Sequence, residues 1–141
     1  MTASPLAPAV AIHLVAALSA LLIGPLAIWA RRQGHAPRVR LHRAAGHAWV
    51  TLMTITALSA LFIRSSGLPN IAGFSPIHLL VPFTLLGLVG AFVALAHGRI
   101  QAHRKAMVSI YLGACVTAGL FTLLPGRLLG QLVWGRWLGL L

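Results

Sequence analysis

The sequence contains no aspartate and no glutamate, and it has a single cysteine and a single tyrosine. Without carboxylates the chain has no Asp/Glu proton relay, no carboxylate cation site and no paired-carboxylate hydrolase chemistry. The lone thiol, Cys115, excludes a disulfide within the chain. The side chains that titrate near neutral pH are the seven histidines. Acid–base chemistry at neutral pH, or ligation of a metal or cofactor, would therefore depend on imidazole.

Apolar residues dominate what is present. Of 141 residues, 59% are hydrophobic and 8% are charged, and the mean hydropathy is +0.92. Runs of about 20 apolar residues are typical of membrane-spanning helices. The Lys and Arg residues lie mostly between these runs, so they predict membrane topology and not nucleic-acid binding.

The pattern predicts an all-α integral membrane protein with one transmembrane domain, a four-transmembrane-helix up-down bundle. We expect the helices at about residues 6–30, 41–63, 76–97 and 103–124. The segment 127–141 is apolar and contains tryptophans. It is expected to lie at the membrane interface or to dock on a partner.

A proline interrupts the first apolar run. Gly24-Pro25 predicts a kink, because proline cannot donate a hydrogen bond to the carbonyl one turn before it. A membrane helix tolerates such a proline where a neighbouring group satisfies the freed carbonyl.

The distribution of positive charge predicts the orientation. Eight basic residues lie in the connections after the first and third helices, and three lie on the other side. The positive-inside rule then places both termini outside the cytoplasm. The eight are Arg31, Arg32, Arg38, Arg40, Arg43, Arg99, Arg104 and Lys105, and the three are Arg64, Arg127 and Arg136.

A histidine motif occurs twice, and we interpret residues 1–64 and 76–126 as two copies of one helical hairpin. Each copy opens with an Ile-His-Leu triplet and continues through an apolar run and a basic turn to a His-Arg pair. The two histidines of a copy are separated by 28 residues in the first and 24 in the second, which is enough for one membrane crossing and a turn. The triplets are Ile12-His13-Leu14 and Ile77-His78-Leu79, and the pairs are His42-Arg43 and His103-Arg104.

Two hairpins of the same topology are related by a pseudo-two-fold axis along the membrane normal. That axis pairs His13 with His78 on the outer side and His42 with His103 on the inner side. Opposed imidazoles in a helical core fit a bis-histidine haem site. The pattern therefore predicts two haem b groups and an electron path across the bilayer, while an interfacial or structural role of the histidines stays open.

Three further residues belong to the predicted inner site. Arg43 and Arg104 adjoin the inner ligands and would hold haem propionates. His47 is a substitute inner ligand. It follows His42 by five residues, about 140° around a helix, so we expect that the two histidines do not share one face of a site.

A further set of segments carries a resemblance to a known family: Ile12 to Leu26, Leu41 to Gly46, Phe74 to His78, Ala102 to Met107 and Phe121 to Arg127. These segments resemble a family of bacterial membrane proteins, the domain of unknown function DUF2306. The resemblance implies a four-helix protein of the bacterial inner membrane and no settled activity. It matches the four paired histidines and usually lacks a histidine at position 47, which favours His42 over His47.

The histidine layout is also similar, in arrangement and not in sequence, to the core of di-haem b-type transmembrane cytochromes. This similarity implies a quinol or another small redox donor. Two other functions stay open at this point. One is a non-catalytic accessory subunit of a larger membrane complex, and the other is a transition-metal-binding membrane protein that uses the same imidazoles.

Overall fold

The computed structural model describes residues 8–31, 36–63, 76–124 and 127–139. Within these ranges the chain is helical apart from short turns, with no strand. The all-α fold class expected from the sequence is therefore confirmed for the described residues.

The helices follow one another along the chain with short connections. The third long helix opens with a 3₁₀ turn, and the fourth contains a π-helical segment in its middle. The elements are α1 (Pro8–Arg31), α2 (Ala36–Ala60), a 3₁₀ turn (Pro76–Leu79), α3 (Leu80–Ala96), α4 (Ile100–Ile110), a π segment (Tyr111–Val116), α5 (Thr117–Thr122), α6 (Leu128–Gly130) and a second π segment (Gln131–Trp137).

Among the described residues, three helices are long and apolar enough to cross a membrane: Pro8–Ala30, Ile77–Ala96 and Ile100–Thr122. The last of these combines α4, the π segment and α5, and we refer to it as the α4–α5 helix. With 25 residues α2 is long enough to span, but arginines, histidines and threonines lower its hydropathy. The four-crossing bundle therefore stays a prediction.

The helix positions agree with the sequence pattern, and the boundaries differ by a few residues. α2 begins at Ala36 and not near 41, because Pro37 suits the first turn of a helix. α4 begins at Ile100 and not near 103. The predicted start at residue 6 and the basic residues Arg32 and Arg64 lie outside the described residues.

The helices pack in chain order, and the core lies between them. α1 packs along α2, α3 packs along α4, α2 also contacts α3, and α1 contacts the π segment of the α4–α5 helix. The spacing from Trp49 to Ile110 equals that from His42 to His103, and both Trp49 and Ile110 are buried. The repeat thus extends from the histidines into the core, whose buried cluster is Ala20, Trp49, Met53, Leu88, Ile110 and Ala114.

A close contact between α1 and the α4–α5 helix involves the proline of α1. Pro25 lies inside α1, so the carbonyl of Leu21 lacks its usual donor within the helix. The hydroxyl of Tyr111 donates to that carbonyl at 3.1 Å. The freed carbonyl of the proline site is thus satisfied by a neighbouring helix, as membrane burial requires.

Candidate cofactor-binding cleft

A cleft of about 480 Å³ lies between the two hairpins, at the end where α1 and α3 finish and α2 and α4 begin. Each of these four helices contributes to its walls. Its buried floor is formed by Gly24, Ala27 and Trp49. Its mouth carries the exposed side chains of Arg43 and Arg104. The cleft thus has an apolar floor and a cationic entrance.

His42 and His103 both line this cleft, and both are half-buried. Nδ1 of His42 donates to the carbonyl of Ala27 at 2.8 Å, and Nδ1 of His103 donates to the carbonyl of Ala91 at 2.9 Å. Each histidine therefore makes the same bond to the preceding helix of its own hairpin. The two hairpins thus share this hydrogen bond as well as the His-Arg pair of the sequence repeat.

These bonds determine the tautomer of each imidazole. A carbonyl oxygen only accepts, so Nδ1 carries the proton and the lone pair of the neutral ring is on Nε2. Metal-ligating histidines are commonly oriented by such a bond from the other ring nitrogen. The ring of Phe92 lies 6.4 Å from that of His103 and further limits its movement. The lone pair of each neutral imidazole is thus on Nε2, the ring nitrogen that remains for coordination.

His47 also lines the cleft, from the same helix as His42. The two histidines thus border one cleft, and the choice of His42 over His47 as inner ligand stays a prediction. Of α2, His42, Arg43, Gly46, His47, Trp49 and Val50 contribute to the wall. His47 itself is exposed, and its Nδ1 donates to the carbonyl of Arg43 within its own helix at 2.7 Å.

His13 and His78 both lie at the other end of α2. Nδ1 of His13 donates to the carbonyl of Thr56 at 3.0 Å and lies 3.1 Å from Oγ of Ser59. Nε2 of His78 donates to the carbonyl of Ile63 at 3.0 Å. The two outer histidines are thus held at the same end of one helix, and their opposition across the core stays a prediction.

Sequence reasoning missed the aromatic floor of the cleft. Trp49 is 3% exposed, and its ring centroid lies 6.4 Å from that of Tyr111. Nε1 of Trp49 has no hydrogen-bond partner within the described part of the chain. One signal was available for Tyr111: it is the single tyrosine of the sequence, and Pro25 requires a donor from a neighbouring helix.

Within the described ranges, no three His, Cys, Asp or Glu side chains gather into a group that could hold a metal ion. A site built from protein ligands alone, as in structural zinc centres, needs about four such groups. A bis-histidine haem site needs only two, because the porphyrin nitrogens supply the other ligands. The chemistry of the cleft is therefore compatible with a macrocyclic cofactor.

A comparison with protein-family models places residues 10–136 in a family of predicted membrane proteins, DUF2306. The chain belongs to the DUF2306 family. This stretch contains the whole cleft, both histidine pairs and most of the C-terminal segment. Comparisons with curated proteins and with solved structures gave no match.

Membership of the family confirms the prediction of a membrane protein, and the predicted cofactors and partners stay predictions. The DUF2306 description is that of a membrane protein, in agreement with the three candidate spans. It names no activity, cofactor or partner. The function of this DUF2306 protein therefore depends on what its cleft can bind.

Proposed function

We propose that this DUF2306 protein is a b-type cytochrome of the bacterial inner membrane that carries electrons across the bilayer. The observation that carries the proposal is the cleft between the hairpins. It brings together His42, His103, Arg43 and Arg104, which the sequence repeat had selected as the ligands and anion-binding groups of one haem. That residues far apart in the chain line one cleft supports the proposal.

The shape and charge of the cleft support a haem. Ligand pockets usually measure about 300–1,000 Å³, and this one measures about 480 Å³. Buried Ala27 and half-buried Val50 and Met107 offer apolar surface to a porphyrin. At the exposed mouth, Arg43 and Arg104 would pair with the propionates, and the chain has no Asp or Glu to compete for them.

Each protein group has a defined role in this proposal. Nε2 of His42 and Nε2 of His103 would hold the haem iron, and the carbonyls of Ala27 and Ala91 hold the two rings in place. A bound haem would supply reversible one-electron chemistry at a potential that depends on the residues that bind its iron. The apolar floor would limit the access of water to a bound haem and favour the ferrous state, in which the iron–porphyrin core carries no net charge.

A second haem near the other membrane face would complete the electron path. His13 and His78 are its proposed ligands. His13 bonds Thr56 in the last turns of α2, and His78 bonds Ile63 just after α2, whereas His42 lies near the beginning of α2. The distance along α2 from His42 to Thr56 corresponds to about 20 Å at 1.5 Å per residue. The two sites would therefore lie in opposite leaflets.

The proposal includes the full topology and the partners. α2 is taken as a fourth crossing, so the chain forms a four-helix bundle with both termini outside the cytoplasm. Little of the described chain lies outside the candidate spans and α2, so a donor has to approach at a membrane face. A quinol in the bilayer, another small donor or a membrane-complex subunit would fit this restriction.

The test is an optical spectrum of the detergent-purified protein, oxidised and then reduced with dithionite, together with haem per chain. We expect low-spin b-type bands and about two haems per chain. His42→Ala and His103→Ala should each remove one of them. His97→Ala is the matched control, because His97 is exposed and outside the cleft and, like His42, bonds a backbone carbonyl through Nδ1.

Either of two results would count against this function. A colourless protein from cells with ample haem would overturn it. Equal haem loss in His97→Ala and His42→Ala would show that the cleft is not the site. A haem that is retained in His42→Ala and lost in His13→Ala would support two separate sites.

A further inference from the structure

A second concave surface lies on α3, away from the cofactor cleft. It measures about 230 Å³ and is lined by Gly90, Val93, Ala94, His97 and Arg99. We call it the α3 groove. None of its residues lines the cofactor cleft, so what it binds is independent of the haem proposal.

Small residues open the groove toward the outside of the protein. A Cβ added at Gly90 would meet no atom within 4 Å, whereas one added at Gly87 would lie 3.0 Å from the side chain of Ile110. Gly87 is therefore used for packing inside the protein, and Gly90 is not. The exposed Val93 borders the opening at Gly90, so the groove faces the region where lipid chains lie.

The groove changes from apolar to cationic along its length. Gly90, Val93 and Ala94 belong to the candidate span Ile77–Ala96. Arg99 lies just beyond it, in the turn that joins this span to the next. Because such a turn lies at headgroup depth, the groove runs from the acyl-chain region to the membrane surface.

The turn holds Arg99 in a fixed position. Gly98 has φ +70°, its N–H donates to the carbonyl of Leu95 at 3.0 Å, and the N–H of Arg99 donates to the carbonyl of Ala94 at 2.8 Å. These two bonds are the Schellman motif that ends many helices. The same motif thus closes α3 and places the arginine at the end of the groove.

The exposed guanidinium of Arg99 has no carboxylate to neutralise it, because the sequence contains no Asp or Glu. His97 adds no negative charge; its Nδ1 donates to the carbonyl of Val93 at 2.8 Å. An occupant that complements this surface has an acyl chain at one end and an anion at the other. Basic pockets of membrane proteins bind anionic lipid headgroups in this way.

We propose that the α3 groove binds one anionic phospholipid, with an acyl chain against Gly90 and Ala94 and the phosphate at Arg99. The lipid is a resident of the protein surface and not only part of the bulk bilayer. The shape of the groove selects for an acyl chain at its apolar end, and the charge of Arg99 selects for an anionic headgroup at the other end.

The test is native mass spectrometry of the full chain in detergent, titrated with phosphatidylglycerol or with phosphatidylcholine of the same acyl chains. We expect one phosphatidylglycerol to bind at concentrations that leave phosphatidylcholine unbound. Arg99→Gln should weaken this binding about five-fold. Arg136→Gln, which removes an exposed arginine outside the groove, should leave it unchanged.

A second pair of variants tests the shape of the groove. Gly90→Leu fills it and should abolish the bound lipid, whereas Ala96→Leu introduces the same side chain at an exposed neighbour outside it. Circular dichroism checks that each variant keeps its helices. Equal binding of both lipids, equal effects of the two arginine variants, or full binding by Gly90→Leu would each overturn the proposal.

Discussion

Glycine at position 24 is required by a side chain on another helix. A Cβ there would lie 2.5 Å from Cε2 of Tyr111 and 3.1 Å from Nε1 of Trp49. The tyrosine ring cannot easily move away, because its hydroxyl is bonded to the carbonyl of Leu21. Close approach of the two helices at this point therefore depends on the missing side chain.

We predict that Gly24→Ala lowers the free energy of unfolding by about 1–3 kcal/mol, the usual cost of overpacking. Titration with SDS, followed by circular dichroism, measures this change. Gly46→Ala is the control, because a Cβ at position 46 meets no atom within 4 Å and alanine is the better helix former. Equal stability of both variants and the parent would contradict the close contact.

A second prediction concerns the hydroxyl of Tyr111. Tyr111→Phe keeps the ring and leaves the carbonyl of Leu21 without its donor, which should cost about 1 kcal/mol in a membrane helix. The same SDS titration applies. Combined with Pro25→Ala, which restores a backbone donor within α1, the loss should become smaller. An unchanged loss in the double variant would show that the hydroxyl acts elsewhere.

At the scale of the element, the turn after α3 depends on one backbone conformation. Gly98 has a left-handed φ of +70°, which costs an L-residue about 1–2 kcal/mol. We predict that Gly98→Ala destabilises the protein by about that amount and Gly98→Asn by less, since asparagine tolerates this conformation. Thermal melting in detergent compares the two variants with Gly119→Ala, whose added Cβ meets nothing. Equal melting temperatures of Gly98→Ala and Gly119→Ala would contradict this prediction.

Hydropathy predicted where the long helices lie but not their internal geometry. The four apolar runs match α1, α2, α3 and the α4–α5 helix, because burial in lipid requires a continuous helix. The π segment Tyr111–Val116 has no sequence signal that we recognise. It depends on how one helix meets its neighbour, which the period of the apolar pattern does not determine.

The repeat selected residues that the fold brings to one cleft at the inner end, whereas their role as cofactor ligands stays a prediction. The inner pair, His42 and His103, lines one cleft together with the adjoining arginines. A helical wheel places His42 and His47 about 140° apart, but the width of a cleft depends on the distance between helices, so the wheel did not predict that both residues line it. Trp49 at its floor was unforeseen for the same reason.

At the scale of the whole molecule, the distribution of charge makes a topological prediction. In a Cys115→Ser background, we introduce Gln101→Cys, beside the turn after α3, or Leu138→Cys, near the C-terminal end; both positions are exposed. A membrane-impermeant maleimide should label position 138 in intact cells and position 101 only after lysis. The reverse pattern would contradict the orientation with both termini outside.

The bonds that orient His42 and His103 lie within the hairpins, whereas the cleft lies between them. One hairpin paired with a copy of itself would therefore already present two oriented imidazoles to a common space. Such a homodimer would hold identical residues in both halves. This chain does not, since Trp49 in one half corresponds to Ile110 in the other, so a single chain lets the two sides of the cleft differ.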